Sequence, residues 1–426
     1  MTRHRAHVPA AARTIRAAVT ALLALTFTFT ASAQLPTDSY QGPLLPDPSL
    51  LARRAEPVWR DRLDSPTAVV TESAVVYLRD GRLVATELAS GWQQWSYGSG
   101  LTGPLLQAED LVILADGGRV TALDAADGTQ RWSTQVTELP VRFLETTGTV
   151  LVAGSGAGGY LVLDLRTGAP SHTFDVPGVA RLVHLGPELT IFSADYGEPN
   201  VRWYHAYSTS TGEELWRGRG WLRLLGVMDG RAYLLNQPAP GSTAADARFS
   251  VSVVDATRGT RSEHWQYEFS ELLDAWHLSA DTSLRLTGEA LYVTDPRGGR
   301  VFSFPHGGAG EPTATYAAAG GAYRAGPYLN LLLFEGEDHN LLAAALDSGR
   351  IIEYLFPGTL ISRLDLVGTR AYVGRADGTH LAVDLTNARV RHLLRTNGSG
   401  FGPTLTAGGY VVVQGSAEVL VLEAVE

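Results

Sequence analysis

The sequence predicts an all-β fold closed into a propeller of four-stranded blades. Three observations predict it. A unit of about forty residues recurs along nearly the whole chain. Each unit breaks into short apolar or β-branched strands bounded by Gly- and Asp-containing turns. No long helical period interrupts the series. Such a repeat cannot bury both faces of its own small sheet, so successive units stack around an axis. The composition agrees: 45% of the 426 residues are hydrophobic and 18% charged, which suits a large core and excludes disorder. The 46 Gly and 21 Pro follow no collagen period and suit many tight turns.

The chain opens with a targeting pattern. Arg3, Arg5, Arg13 and Arg16 form a basic stretch, Ala17 to Thr30 is apolar, and Ala31-Ser32-Ala33 is a small-x-small cleavage site before Gln34. The apolar run is shorter than the ~20 residues of a spanning helix. We therefore read residues 1–33 as a signal peptide, with an uncleaved anchor as the rival, residues 34–55 as a linker and 56–426 as the propeller. No later stretch is apolar enough for a membrane helix. The absence of cysteine removes disulfides, thiolate metal sites, a catalytic Cys and a lipoprotein anchor. The expected location is periplasmic or extracellular. All 34 basic residues are Arg, and the net charge of −10 would become −14 without the first 33 residues. An acidic body disfavours a phosphate-backbone binder, so no nucleic-acid partner is expected.

The clearest unit is Leu111 to Trp132, LVILADGGRVTALDAADGTQRW. A strand over 111–115 leads through Asp116-Gly117-Gly118 to a strand over 119–124, then through Ala126-Asp127-Gly128 to a third strand opening with Trp132. Related units surround Glu87, Asp164 and Ser208; weaker ones surround Asp255, Phe304, Asp347 and Asp384; the last ends at Glu423. These positions are spaced 37 to 49 residues apart. The last unit stops after its third strand, while Glu56 to Leu63 (EPVWRDRL) is a strand without a unit. The expectation is that this strand completes the final blade and seals the ring with both termini.

The best copies share A-x-[D/E/S]-x-x-[D/S/T]-G-x-x-x-W. It is Ala85, Glu87, Gly91 and Trp95 in one copy, Ala122, Asp124, Gly128 and Trp132 in the next, and Ala206, Ser208, Gly212 and Trp216 in a third. The small Ala leaves room for a ring, the Gly permits a left-handed turn, and the Trp buries a large area between blades. His172, Glu263, Glu353 and His392 occupy the Trp place elsewhere. This pattern resembles the tryptophan-docking motif of PQQ-like propeller repeats, over about Glu56 to Glu426. The resemblance implies eight blades, the family norm, whereas the literal count of units gives nine. We expect eight, with nine as the rival, one unit within Trp221 to Tyr316 being an insertion.

The family resemblance implies two functional branches. One holds quinone- and calcium-dependent dehydrogenases, which often use a vicinal Cys pair. The other holds scaffolds similar to the propeller component of outer-membrane barrel assembly. With no Cys and no acidic cluster matching the family's calcium site, we expect a non-enzymatic scaffold, without cofactor, metal or catalytic residues. Its partners would be envelope or outer-membrane proteins, and the chain itself a monomer. The alternatives are a quinoprotein oxidoreductase and a carbohydrate- or wall-binding propeller.

Other candidates carry less. Glu335, Glu337, Asp338 and His339 could hold a cation or form a solvated hairpin tip, and so could Asp195, Glu198 and Asn200. Gly154 to Gly159 is Gly-rich but lacks a P-loop's Lys-Ser/Thr, and Gly154-Ser155-Gly156 lacks the full nucleophile pattern. Asn397-Gly398-Ser399 reads as a turn before it reads as a glycosylation site. Among aromatics outside the docking place (Trp92, Trp203, Tyr204, Trp221, Trp265, Tyr267 and Trp276), packing between blades is the default. Trp276 and His277 are expected to be exposed. The loop Gln237 to Arg248 is the most obvious insertion for partner contact.

Overall fold

A computed structural model describes residues 54–156, 159–196, 202–236, 248–268, 284–295, 299–308, 310–318, 321–354 and 358–424. The chain divides into Met1–Gln34 and Leu35–Glu426, and the fold described is that of the second unit.

Among the described residues, the strands form nine four-stranded antiparallel sheets. Eight are sequential meanders, whose strands we label a to d in chain order: residues 69–97, 105–135, 143–174, 179–219, 221–268, 284–317, 322–354 and 361–395. The ninth takes strands a to c from Leu405–Ala407, Tyr410–Gln414 and Glu418–Glu423. Its strand d comes from the other end of the chain. Trp59–Arg62 pairs antiparallel with the last strand, Trp59 opposite Val421 and Arg62 opposite Glu418. The strand left over in the sequence thus completes the last blade, as expected.

The core lies between blades, where strands b and c, apolar on both faces, are sandwiched by their neighbours. Blade 2 presents Ile113, Ala115, Ala122 and Trp132 to Leu151, Ala153 and Leu163 of blade 3. An equivalent cluster fills every seam. The seam between blades 8 and 9 is filled by Tyr372, Leu394, Val413 and Leu420, and the one between 9 and 1 by Val75, Tyr77, Val412 and Val421. Nine blades joined by nine apolar seams, the last meeting the first, make a closed ring. Closure also has a polar part. Asp61 accepts from the Tyr77 hydroxyl at 2.5 Å and pairs with Arg79, while Gln414 accepts from Ala68 N–H at 2.8 Å.

The blade number corrects the expectation of eight. The region read as containing an insertion holds two complete blades, 5 and 6. Blade 6 keeps the apolar alternation in Ala290–Thr294 and Arg300–Pro305 but has lost the aspartate turn by which the repeat is recognised. Two equivalences also shift. In blade 7, Gly349 N–H donates to the Ala345 carbonyl at 2.8 Å, as Gly128 N–H donates to Asp124, so Ala345 and not Asp347 matches Asp124. In blade 6, His306 N–H meets Glu289, as Ala125 N–H meets Asp110, so Pro305 and not Phe304 holds that place.

Candidate functional site

The docking residues explain what holds the ring rigid. Ala85 lies opposite Trp95 in the blade-1 sheet, Ala122 opposite Trp132, and Ala206 opposite Trp216. Each indole then reaches across the seam. Trp95 Nε1 donates to Ala125 O at 3.1 Å, Trp132 Nε1 to Leu165 O at 3.0 Å, and Trp216 Nε1 to Ala256 O at 2.7 Å. The ring also lies on a glycine of the next blade: Trp95 on Gly128, Trp132 on Gly168 and Trp216 on Gly259, where any Cβ would collide with it. Those glycines have φ near +70°, so a side chain there meets both strain and a clash. The motif is therefore shared between neighbours. Gly91 serves the preceding ring, Trp59, and Gly212 serves His172. Asp124 Oδ1 closes the turn by accepting from Ala126 N–H at 2.9 Å.

Sequence reasoning missed half of this girdle. Trp59, in the closing strand, is a further docking ring and donates to Leu88 O at 2.8 Å. At the seams after blades 6 and 7 a tyrosine replaces the indole. Tyr316 and Tyr354 donate to Leu346 O and Leu385 O, both at 3.0 Å. Tyr267 of blade 5 donates to Pro305 O at 3.3 Å. Glu353, counted into the Trp place, pairs opposite Leu342, one residue from the working Tyr354. Glu263 instead takes the Trp265 indole N–H at 2.9 Å.

The two ends of the ring differ. Connections from strand a to b are two or three residues long, and those from c to d are mostly five. Connections from b to c and from d to the next a leave from the opposite end and vary widely, up to eleven residues at 237–247 and fifteen at 269–283. Variable connections on a rigid frame are where recognition is placed, so this second face is the candidate interaction surface. Residues 237–247, Trp276 and His277 belong to these connections and lie outside the described residues, as do Glu198 and Asn200.

One described side chain on this face is committed to holding blades together. Glu335 is buried and ties blade 7 to blade 8 by accepting from Ile361 N–H at 2.9 Å, while Arg324 Nε and His339 Nδ1 approach it at 2.7 Å. Burial alone would raise this carboxyl, but these partners hold it below its ordinary range. Its contribution is therefore in place at neutral pH and is lost only as the pH falls below the usual glutamate range. Glu337 and Asp338 stay exposed at the turn. Among the described residues, no three His, Cys, Asp or Glu converge as a metal site. Replacing Glu335 with Gln strands Arg324 and is expected to cost about 3 kcal/mol of unfolding free energy. Urea unfolding measures it, and an unchanged midpoint would show that the buried cluster adds nothing. Asn397 is likewise used, donating through Nδ2 to Glu418 at 3.0 Å.

A second polar chain sits on blade 4. The His205 imidazole, fully buried, meets Glu214 at Nδ1 (2.8 Å) and the half-exposed Tyr196 hydroxyl at Nε2 (2.5 Å). Beside it stand Trp203, covered by the Arg219 guanidinium, and Tyr207. Burial and the nearby Glu214 raise the Tyr196 phenol, so it stays a neutral donor. This cluster too was missed, because its members meet only across a hairpin. Of the remaining aromatics, Tyr204, Trp221, Trp265 and Tyr267 are buried in seams, whereas Trp92 is 77% exposed.

The sequence profile of a family described as the outer membrane protein assembly factor BamB matches residues 49–178. No curated protein sequence matches the chain. Among solved structures, the C-terminal WD40 domain of Sif2 is similar at 10% identity, covering 88% of this chain and 99% of that one, with a TM-score of 0.50. BamB from Moraxella catarrhalis is similar at 16% identity, with 87% and 99% covered and a TM-score of 0.45. A quinohemoprotein alcohol dehydrogenase from Pseudomonas putida HK5 is similar at 15%, with 87% and 76% covered and a TM-score of 0.46. At these identities the likeness to solved structures concerns the propeller fold alone.

Proposed function

The chain belongs to the PQQ-like β-propeller repeat family, and from that premise we propose that it is a non-enzymatic protein-binding scaffold of the cell envelope, serving the assembly of outer-membrane proteins. The observation that carries this reading is the match of residues 49–178 to the profile described as an outer-membrane assembly factor. The architecture supports it. A ring locked at its seams by indole and phenol donors offers fixed positions for connections of unequal length, all at one end. The buried Glu335 described there ties blade 7 to blade 8. The basic, apolar and small-residue order of the first 33 residues supports export.

The test is affinity capture from envelope extracts with residues 34–426, alongside melting curves with pyrroloquinoline quinone and calcium. A ligand that binds only the native state raises its melting temperature. The scaffold reading expects outer-membrane assembly proteins to be retained and no quinone-dependent shift. A shift that requires both quinone and calcium, with no partner retained, overturns it in favour of an oxidoreductase.

A further inference from the structure

We propose that the outer seam between blades 8 and 9 is a docking slot for an aromatic side chain with a ring donor, tryptophan above all, carried by an extended segment of a protein partner. The inference rests on the scaffold reading. It starts from the girdle. At the seam after blade 2, for instance, the chain's own indole lies between blades and donates to the carbonyl that follows the Asp124-type position, here Leu165. Tyrosine does the same after blades 6 and 7. After blade 3 the imidazole of His172 lies directly on Gly212, which fills the place.

The seam after blade 8 is different. His392 stands opposite Ala382, in the Trp place, and its ring packs inward on His380 at 5.8 Å with 18° between planes. His392 is 3% exposed and its Nε2, like that of His172, has no partner, so the open space beside it is what sets this seam apart. Ala424 N–H donates to Gly409 O at 2.7 Å, which puts Ala424 where Leu165 and Ala256 stand in their seams. Among the described residues none donates to the Ala424 carbonyl. Beside His392 opens a cleft of about 540 Å³, walled by Val58 and Leu422. That volume is in the range of ordinary ligand pockets, about 300–1,000 Å³. This seam therefore combines a small ring, a carbonyl without a donor and open space.

The charges at the cleft select the occupant. Arg54 stands beside Glu56 and Glu423, and Arg391 is already paired with Asp384 at 2.7 Å. The acids at the mouth match or outnumber the guanidiniums, so it has no spare positive charge for an anionic ligand. Guanidinium planes stack well on aromatic faces. An indole answers each feature: a flat face for the guanidiniums, apolar edges for Val58 and Leu422, and an N–H for an unmet acceptor. The flanking backbone has a precedent. The chain's own segment at Arg54 runs parallel to the blade-8 edge, with Ala55 N–H donating to Leu393 O at 3.0 Å.

The probe is N-acetyl-tryptophanamide, titrated into the full chain with isotope-labelled Leu and Val methyls and N-acetyl-alaninamide as control. The expected result is a saturable shift of the Leu422 and Val58 methyls with the tryptophan probe and none with the alanine probe. His392→Trp fills the slot from within and should abolish the shift without lowering the melting temperature. Silent methyls, an equal response to the alanine probe, or a shift that survives His392→Trp overturns the slot. Partners captured while the methyls stay silent would overturn the slot and leave the scaffold standing. Responding methyls without any captured partner would overturn the scaffold instead.

Discussion

Trp132→Ala is expected to lower the unfolding free energy by about 3–5 kcal/mol, the usual cost of deleting a buried aromatic. The indole fills the seam between blades 2 and 3, lies on Gly168 and gives its N–H to Leu165 O. Its removal leaves a cavity between two sheets that are each backed by a further blade, so neither can move in to close it. Gly168→Ala attacks the same contact from the other side. It forces a side chain into a left-handed backbone at φ +67° and into the space of the ring. Denaturant midpoints of the two single variants and the double variant form the check. If the seam acts as one joint, the double variant costs clearly less than the sum, because the ring that the added methyl group would displace is already gone. Additive losses would mean that ring and glycine act separately.

Acidification is expected to loosen the seam between blades 8 and 9 before the carboxylates titrate. His380 and His392 are buried there with their rings stacked, His380 Nδ1 and His392 Nε2 lacking partners. Burial, and then the nearby Arg370, push His392 down to about 4 from an ordinary 6.5; burial and then His392 push His380 down as well. Both are neutral in the folded ring and free to protonate once unfolded. The unfolded chain therefore binds more protons, and stability falls as the pH drops from about 6.5 towards 4. His392 alone accounts for about 3 kcal/mol across that window. Stability measured by urea unfolding at successive pH values should show this slope, and His392→Phe should flatten it. An equally steep slope in the variant would put the acid sensitivity elsewhere.

How much of this was legible depends on turn chemistry. The unit around Asp124 stands out because its aspartate caps the turn and Gly128 takes the left-handed conformation that few residues tolerate. Where the aspartate is gone, at Pro305 and Ala345, apolar alternation continues but the register cannot be read, and both the blade count and the equivalences slipped. The docking role suffered in the same way. An indole N–H and a phenol O–H make the same bond to the same type of carbonyl, so Tyr316 and Tyr354 carry on a device that a search for tryptophan loses. Trp59 had a usable signal, a Trp inside the one strand left without a unit. The Tyr196–His205–Glu214 chain had none, since its contacts follow from hairpin register and not from sequence spacing.

The pairing of Trp59–Arg62 with Glu418–Glu423 makes the first strand of the ring wait for the last. Contacts of such sequence separation carry the largest loop-closure entropy and form late. A chain delivered from its N-terminus therefore holds an unpaired edge until synthesis is complete, and early strands left open in this way invite association with other chains. The strand that waits reads Trp-Arg-Asp-Arg, and Arg60 and Arg62 are exposed on it even in the finished ring. Charge on an idle edge discourages wrong pairing, so the segment that closes the ring is also built to survive the delay before it can do so.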